Sequence, residues 1–165
     1  MQRAGSDVKG VKFLAALLVL GGVFGAGLVV FFVLTGQIGL LQLSPVLALF
    51  GFAAFAGVRL WQGHARGWRW GLILYAMQIP ILSTSGLVYE FYVGPAIEVL
   101  AGSVDPHFKL EFGANAQFYL GATGASSYSG LNLFALAAFC YLFSKRPRPS
   151  ADPNALGTAG TAASR

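Results

Sequence analysis

Long stretches without a single charged residue constrain this chain more than any other feature. They cover residues 13–36, 35–58, 70–89 and 112–144. A helix needs about 20 consecutive apolar residues to cross the hydrocarbon core of a bilayer, and each stretch has that length. Only 10% of the residues are charged, against about 25% in soluble domains. The sequence therefore predicts an integral membrane protein whose surface lies mainly against the lipid bilayer.

The predicted fold is all-α: a bundle of four transmembrane helices at about residues 13–34, 45–61, 70–89 and 126–143. The first apolar run is longer than that of a signal peptide and no convincing cleavage site follows it, which favours a retained helix. Pro80 removes a backbone donor and predicts a kink in the third helix. Small-residue pairs such as Gly21 and Gly25 predict close packing between helices of the same chain.

Residues 90–125 form the one sizeable predicted loop. Its segments 107–112 and 115–120 alternate with a period of two, which indicates strands. We predict a small extracytoplasmic β-hairpin over 107–120, with its connection at 113–115. One face would be apolar and the other would carry Lys109, Glu111, Gln117 and Tyr119. The last residues, 150–165, are rich in Ala, Gly, Thr and Ser and predict a disordered cytoplasmic tail.

The distribution of charge predicts the orientation. With four crossings both termini lie on one side, and every Lys and Arg except Lys109 falls on that side. Cytoplasmic segments of membrane proteins carry the excess of Lys and Arg. We therefore expect a multi-pass protein of the plasma (inner) membrane with both termini in the cytoplasm. Acidic residues sort the other way, because Glu90, Glu98 and Glu111 share the predicted outer loop.

One short stretch between the second and third helices combines aromatic and basic residues. Such a mixture can bind single-stranded nucleic acid, but it also marks the edge of a bilayer. A tight turn between two membrane helices leaves no groove for a strand, so no nucleic-acid partner is predicted. We predict a membrane-interface anchor made of Trp61, Trp68, Trp70, Arg59, Arg66 and Arg69.

No group of residues in the sequence predicts catalysis, a cofactor or a metal site. The two histidines, His64 and His107, fall on opposite sides of the predicted membrane. Asp105, His107 and Glu111 could share a strand face as metal ligands, but Lys109 on that face would repel a cation. Motifs of zinc proteases and phosphate loops do not occur. We therefore expect a protein that is not an enzyme.

Three polar residues, Gln78, Glu90 and Asn132, lie in or beside the predicted third and fourth helices. They predict either a polar path or hydrogen bonds between helices. The first functional hypothesis is an accessory, interaction or sensing subunit that uses its outer loop to bind a membrane-protein partner or a second copy. The alternative is a small oligomeric transporter or channel with a polar path near the Pro80 kink.

Overall fold

The structure, a computed structural model, describes residues 4–36, 40–102, 106–121 and 127–146, and for residues 4–7 and 40–43 only the backbone. The elements in these ranges are α1 Ala4–Leu34, α2 Leu40–Trp61, α3 Ala65–Met77, β1 Pro80–Ser83, β2 Leu87–Gly102, β3 His107–Leu120, β4 Tyr128–Asn132 and α4 Leu133–Ser144. The strands form a 4-stranded antiparallel sheet, so the fold is α+β. The predicted all-α, four-transmembrane-helix bundle is wrong. The predicted tail at 150–165 lies outside the described residues.

Two helices, α1 and α2, are long and apolar enough to cross a membrane, over Val8–Leu34 and Ser44–Trp61. They cover the predicted helices at 13–34 and 45–61, although α2 begins at Leu40 and contains Pro45. The other two helices, α3 and α4, have 13 and 12 residues. Helices of that length fall short of the roughly 20 residues that a crossing needs.

Glycines bring the backbones of α1 and α2 close together. A Cβ atom on Gly22 would lie 2.6 Å from the backbone nitrogen of Ala54, and one on Gly57 would lie 2.8 Å from the carbonyl oxygen of Ala15. Only residues without a side chain allow this approach. The small residues of these two helices therefore pack within the chain.

The predicted third helix at 70–89 becomes a short helix and parts of two strands. α3 ends at Met77, β1 begins at Pro80 and β2 begins at Leu87. A helix continued through Pro80 would lack one hydrogen bond and would press the proline ring against the carbonyl of Ala76. The helix stops before this clash instead of bending around it. Pro80 becomes the first residue of a strand, a position that proline tolerates. Residues 70–89 are all described, and they contain no kinked helix at Pro80.

The predicted fourth helix at 126–143 begins later than expected, because Tyr128–Asn132 is strand β4. The Ser and Gly residues of β4 are poor helix formers. Asn132 then starts α4, and its side-chain oxygen accepts a hydrogen bond from the backbone N–H of Ala135 at 3.2 Å. This is the usual role of asparagine at a helix N-terminus.

The predicted hairpin within 107–120 is also wrong, because these residues form one continuous strand, β3. β3 pairs along its whole length with β2, from Leu100 opposite His107 to Leu87 opposite Leu120. β2 occupies residues that the sequence assigned to the third helix and to the outer loop at 90–125. The sorting of side chains in β3 into two faces is unchanged, because a continuous strand and the predicted hairpin place the same alternate residues together.

The sheet closes on itself through three of its strands. β1 pairs with the start of β2, β4 pairs with the later half of β2, and β1 and β4 pair with each other. β3 extends the sheet beyond β2. The three strands therefore form a closed ring of hydrogen bonds with β3 on one side.

The start of α1, the end of α2, the start of α3 and the end of α4 lie together at one end of the molecule. The Lys12 ammonium of α1 lies 5.6 Å from the centre of the Trp61 ring at the end of α2. Gly10 faces the ring of Tyr141 near the end of α4. α3 starts beside them, because Gly67 packs on the backbone of Arg59. The sheet extends from the other ends of α3 and α4.

Candidate functional site

β2 and β3 bend together and form what we call the V-shaped hairpin, with its apex at the facing residues Gly94 and Gly113. Their φ angles are +95° and +152°, a region that residues with side chains rarely adopt. Glu90 and Glu98 lie on the two sides of this apex in β2. An extended strand would hold them about 26 Å apart. The bend instead brings both carboxylates within 3.8 Å of one ammonium group, that of Lys109.

Lys109 stands at the centre of what we call the acidic cluster, which comprises Glu90, Glu98 and Glu111. Its ammonium nitrogen is also 2.9 Å from Glu111. One carboxylate oxygen from each glutamate lies within 4.8 Å of the other two. Alternation places all four side chains on the same face of the hairpin. The described charges of the sheet therefore all point into the V and are grouped around a single cation.

The members of the acidic cluster differ in burial and in hydrogen bonding. Glu90 is buried, and its Oε1 accepts a hydrogen bond from the side-chain amide of Asn115 at 2.5 Å. Glu98 is 1% exposed, and neither of its carboxylate oxygens has a hydrogen-bond donor among the described residues. Its only described compensation is the Lys109 ammonium. A buried carboxylate in this position depends strongly on that one partner.

The position of Lys109 also affects whether the acidic cluster could bind a metal ion. Three carboxylates at this spacing could bind a cation. The lysine ammonium already lies 2.9–3.8 Å from all of them and would have to leave first. The residues present fit an internal ion-pair network better than a metal centre. The expectation that the chain binds no metal and no cofactor stays a prediction.

All three residues predicted to line a polar path are buried. Gln78, just after α3, accepts a hydrogen bond at its Oε1 from the backbone N–H of Val93 at 3.0 Å. Asn132 accepts one from Ile97 at 3.3 Å in addition to capping α4. These two side chains thus join the helices to β2. Of the three, Glu90 belongs to the acidic cluster, and Asn132 lies opposite the cluster residue Glu98 in the pairing of β2 with β4. The polar path stays a prediction.

The residues predicted as a membrane-interface anchor lie around the end of α2 and the start of α3. Trp61 is exposed, Trp68 is buried, and Trp70 packs edge-on against Phe52 at 5.8 Å. Arg59 lies over the ring of Phe55 at 5.3 Å, while Arg66 and Arg69 are exposed. Arg66 and Arg69 are therefore accessible to water or to lipid headgroups.

Sequence reasoning missed the centre of the site. The predicted hairpin puts Lys109 and Glu111 on one strand face but pairs their strand with residues 115–120, whereas the true partner is β2, whose Glu98 the prediction places in a loop. A signal was available in residues 87–93, where β-branched and aromatic residues precede Gly94 and Pro95. That composition favours a strand ending in a bend over the end of a helix.

The outer face of the V-shaped hairpin is apolar. Phe108, Leu110 and Phe112 of β3 are 76%, 79% and 80% exposed. They pair with Val99, Ile97 and Pro95 of β2, which share that face. Exposed apolar patches of this kind mark contacts with a protein or with a membrane.

A cavity of about 530 Å³ lies between the helices and the other half of the hairpin. Its walls are mostly apolar, from Val29 and Phe32 of α1, Leu49 of α2 and Ala116 of β3, and Glu90 is also part of its lining. The volume is within the range of small-molecule pockets. Comparisons with protein-family models, with curated proteins and with solved structures find no match to this chain, so its function has to be inferred from its own residues.

Proposed function

We propose that this chain is a non-enzymatic, multi-pass protein of the plasma membrane that serves as an accessory or sensing subunit, with both termini in the cytoplasm. The membrane part of the proposal is supported by α1 and α2 and by the basic residues gathered at one end. The subunit part rests on one observation, the free edge of β3. From Phe108 to Leu120 this edge has no strand partner among the residues that the structure describes.

A long edge strand with exposed apolar side chains is unusual for a protein that acts alone. Natural edge strands are short or carry proline, bulges or inward charges that block pairing. β3 does carry two inward charges, Lys109 and Glu111, but it has 14 residues and no proline, and its large apolar side chains are exposed. A partner strand added at this edge would satisfy its main-chain groups, as in other β-augmentation complexes. The proposed partner is another membrane protein, with a second copy of the chain as one outcome of the test.

The test is site-specific photocrosslinking in intact membranes. A photoreactive amino acid replaces Phe108 or Leu110 of β3, and Ile73 on α3, which is also exposed, serves as the control position. We expect a discrete crosslinked protein from the two β3 positions and none from Ile73. Mass spectrometry of the product distinguishes a second copy from another protein. Crosslinks to lipid alone at both β3 positions would contradict the subunit proposal.

The acidic cluster favours a second function, a small oligomeric transporter or channel that uses Glu90. Ionisable groups buried in membrane proteins often mark paths for ions or protons. The path would run through the V-shaped hairpin, since Pro80 forms no kink. The discriminating measurement is ion or proton flux into liposomes that contain the purified protein, compared with a Glu90→Gln variant. Selective flux that is lost in the variant would favour the transporter, whereas the subunit proposal predicts no flux.

A further inference from the structure

The apex of the V-shaped hairpin lies beside the middle of α1. A Cβ atom on Gly94 would be 3.5 Å from the Cβ of Leu17, and one on Gly21 would be 2.6 Å from Val93. Leu17 and Gly21 are near the centre of the apolar stretch Val8–Leu34. If α1 crosses a bilayer, its centre lies in the hydrocarbon core, and the apex of the hairpin lies there with it.

The short helices gain length from the strands attached to them. α3 has 13 residues and β1 has 4, which correspond to a combined rise of about 33 Å. β4 with 5 residues and α4 with 12 give about 35 Å. The hydrocarbon core is about 30 Å thick. Each helix and strand together therefore have the length of one crossing, although neither has it alone.

The side chains of the sheet are arranged for an apolar surrounding. The described charged residues point into the V, and the outer face carries Phe108, Leu110, Phe112 and Leu131, all exposed. Lys109, the most exposed of the four charged groups at 39%, keeps its ammonium 2.9–3.8 Å from the three carboxylates. This is the reverse of a water-soluble sheet, which turns its charges outward.

We infer that the sheet occupies the outer half of the bilayer, with the outer face of the V-shaped hairpin against lipid acyl chains. The third and fourth crossings are then each a helix in the inner half and a strand in the outer half. The inference rests on the membrane part of the proposed function and replaces the expected extracytoplasmic position of residues 107–120. The outer face of the V-shaped hairpin contacts hydrocarbon whether or not a protein binds the β3 edge.

Backbone pairing within the sheet agrees in part with this position. Main-chain groups in hydrocarbon have to be paired within the protein. β1, β4 and the two ends of β2 pair with one another, and in the middle of β2 the side chains of Gln78 and Asn132 accept from Val93 and Ile97. The free edge of β3 does not meet this requirement within the described residues. An embedded sheet therefore gives a physical reason for a partner to cover the β3 edge.

The test measures depth by spin labelling. Cys140 is first replaced with serine, and single cysteines at Leu110 or Phe112 then carry a nitroxide in vesicles of phosphatidylcholine and phosphatidylglycerol. Molecular oxygen concentrates in hydrocarbon and a neutral nickel chelate stays in water, so the ratio of their collision rates reports depth. Val23, exposed near the middle of α1, is the deep reference, and Gln62, after α2, is the water reference.

We expect the ratio at Leu110 and at Phe112 to match that at Val23 and to exceed that at Gln62 several-fold. If both β3 positions match Gln62 while Val23 is deep, the inference is overturned and the membrane proposal stands. If Val23 also matches Gln62, the membrane proposal itself is overturned, and the inference with it. Using two β3 positions guards against a local defect at one labelled site.

Discussion

The contact between α1 and α2 and the interior of the V-shaped hairpin are built from different kinds of side chain. The contact between α1 and α2 is made by glycines and apolar side chains, and the backbones almost touch at Gly22. The hairpin encloses three carboxylates and an ammonium group. A helix pairs its own backbone, so two helices need only small residues to pack. A strand turns every second side chain inward, so a sheet can be apolar outside while holding charges inside.

The largest effect is expected from removing the single cation of the hairpin. Lys109→Met leaves three neighbouring carboxylates without their central partner, and Glu98 has no other described compensation. Breaking a buried ion pair by removing one partner typically costs about 3–5 kcal/mol. We expect a loss near the lower end, because Lys109 is 39% exposed. The measurement is the free energy of unfolding of the purified protein in detergent, followed by tryptophan fluorescence.

Two further variants sharpen this result. Lys9→Met removes an exposed cation of α1 and should leave stability nearly unchanged. Adding Glu98→Gln to Lys109→Met should restore part of the lost stability, because the two residues are coupled. Equal losses for Lys9→Met and Lys109→Met, or no recovery in the double variant, would show that the acidic cluster does not depend on Lys109.

The helical pair should respond to added volume rather than to lost charge. Gly22→Ala places a methyl group 2.6 Å from the backbone of Ala54, where neither helix can yield easily. Overpacking of this kind costs about 1–3 kcal/mol. Gly27→Ala is the matched control in the same helix, because a Cβ atom there meets nothing within 4 Å. It should be neutral or slightly stabilising in the same unfolding assay, and an equal loss for both variants would argue against the close contact.

The junction between the two regions should show a smaller effect. Asn132→Ala removes the acceptor for the N–H groups of Ala135 and Ile97, one in α4 and one in β2. Loss of an N-terminal cap costs about 0.5–2 kcal/mol. Ser129→Ala, at an exposed position of β4, is the comparison and should change little. Hydrogen exchange should also rise at the start of α4 in the Asn132 variant, and unchanged exchange there would contradict the capping role.

The smallest effect is expected on the outer face of the hairpin. Phe112 is 80% exposed, so Phe112→Ala in detergent removes little packing and should change the free energy of unfolding by less than about 0.5 kcal/mol. A buried phenylalanine would lose about 3–5 kcal/mol on the same change. A loss of that size would mean that Phe112 packs inside the protein, and its outer face would then not be free for lipid.

Sequence reasoning succeeded where the pattern is local. The apolar run from Phe13 to Leu34 is long enough to identify a helix without any tertiary information, and the alternation from His107 to Leu120 identified strand residues and their two faces. Both signals come from side-chain periodicity within one segment. They required no knowledge of what the segment packs against.

It failed where the structure depends on a distant partner. The run at 70–89 is uncharged and has the length of a crossing, so composition alone could not show that the chain leaves the helix at Met77. β1 and β3 both pair with β2, but the prediction places the residues of β2 in that helix and in a loop. The acidic cluster was missed for the same reason, because Glu90 and Glu98 meet only after β2 bends at Gly94.

The most direct test of the membrane account is cysteine labelling from outside intact cells, in the Cys140→Ser background. Pro106, at the open end of the V-shaped hairpin, and Gln62, between α2 and α3, are both exposed and lie toward opposite ends of the molecule. A membrane-impermeant maleimide should label Pro106→Cys in intact cells and should label Gln62→Cys only after the membrane is opened. Labelling of both positions in intact cells, or of Gln62→Cys alone, would contradict a chain that spans the bilayer with its basic end in the cytoplasm.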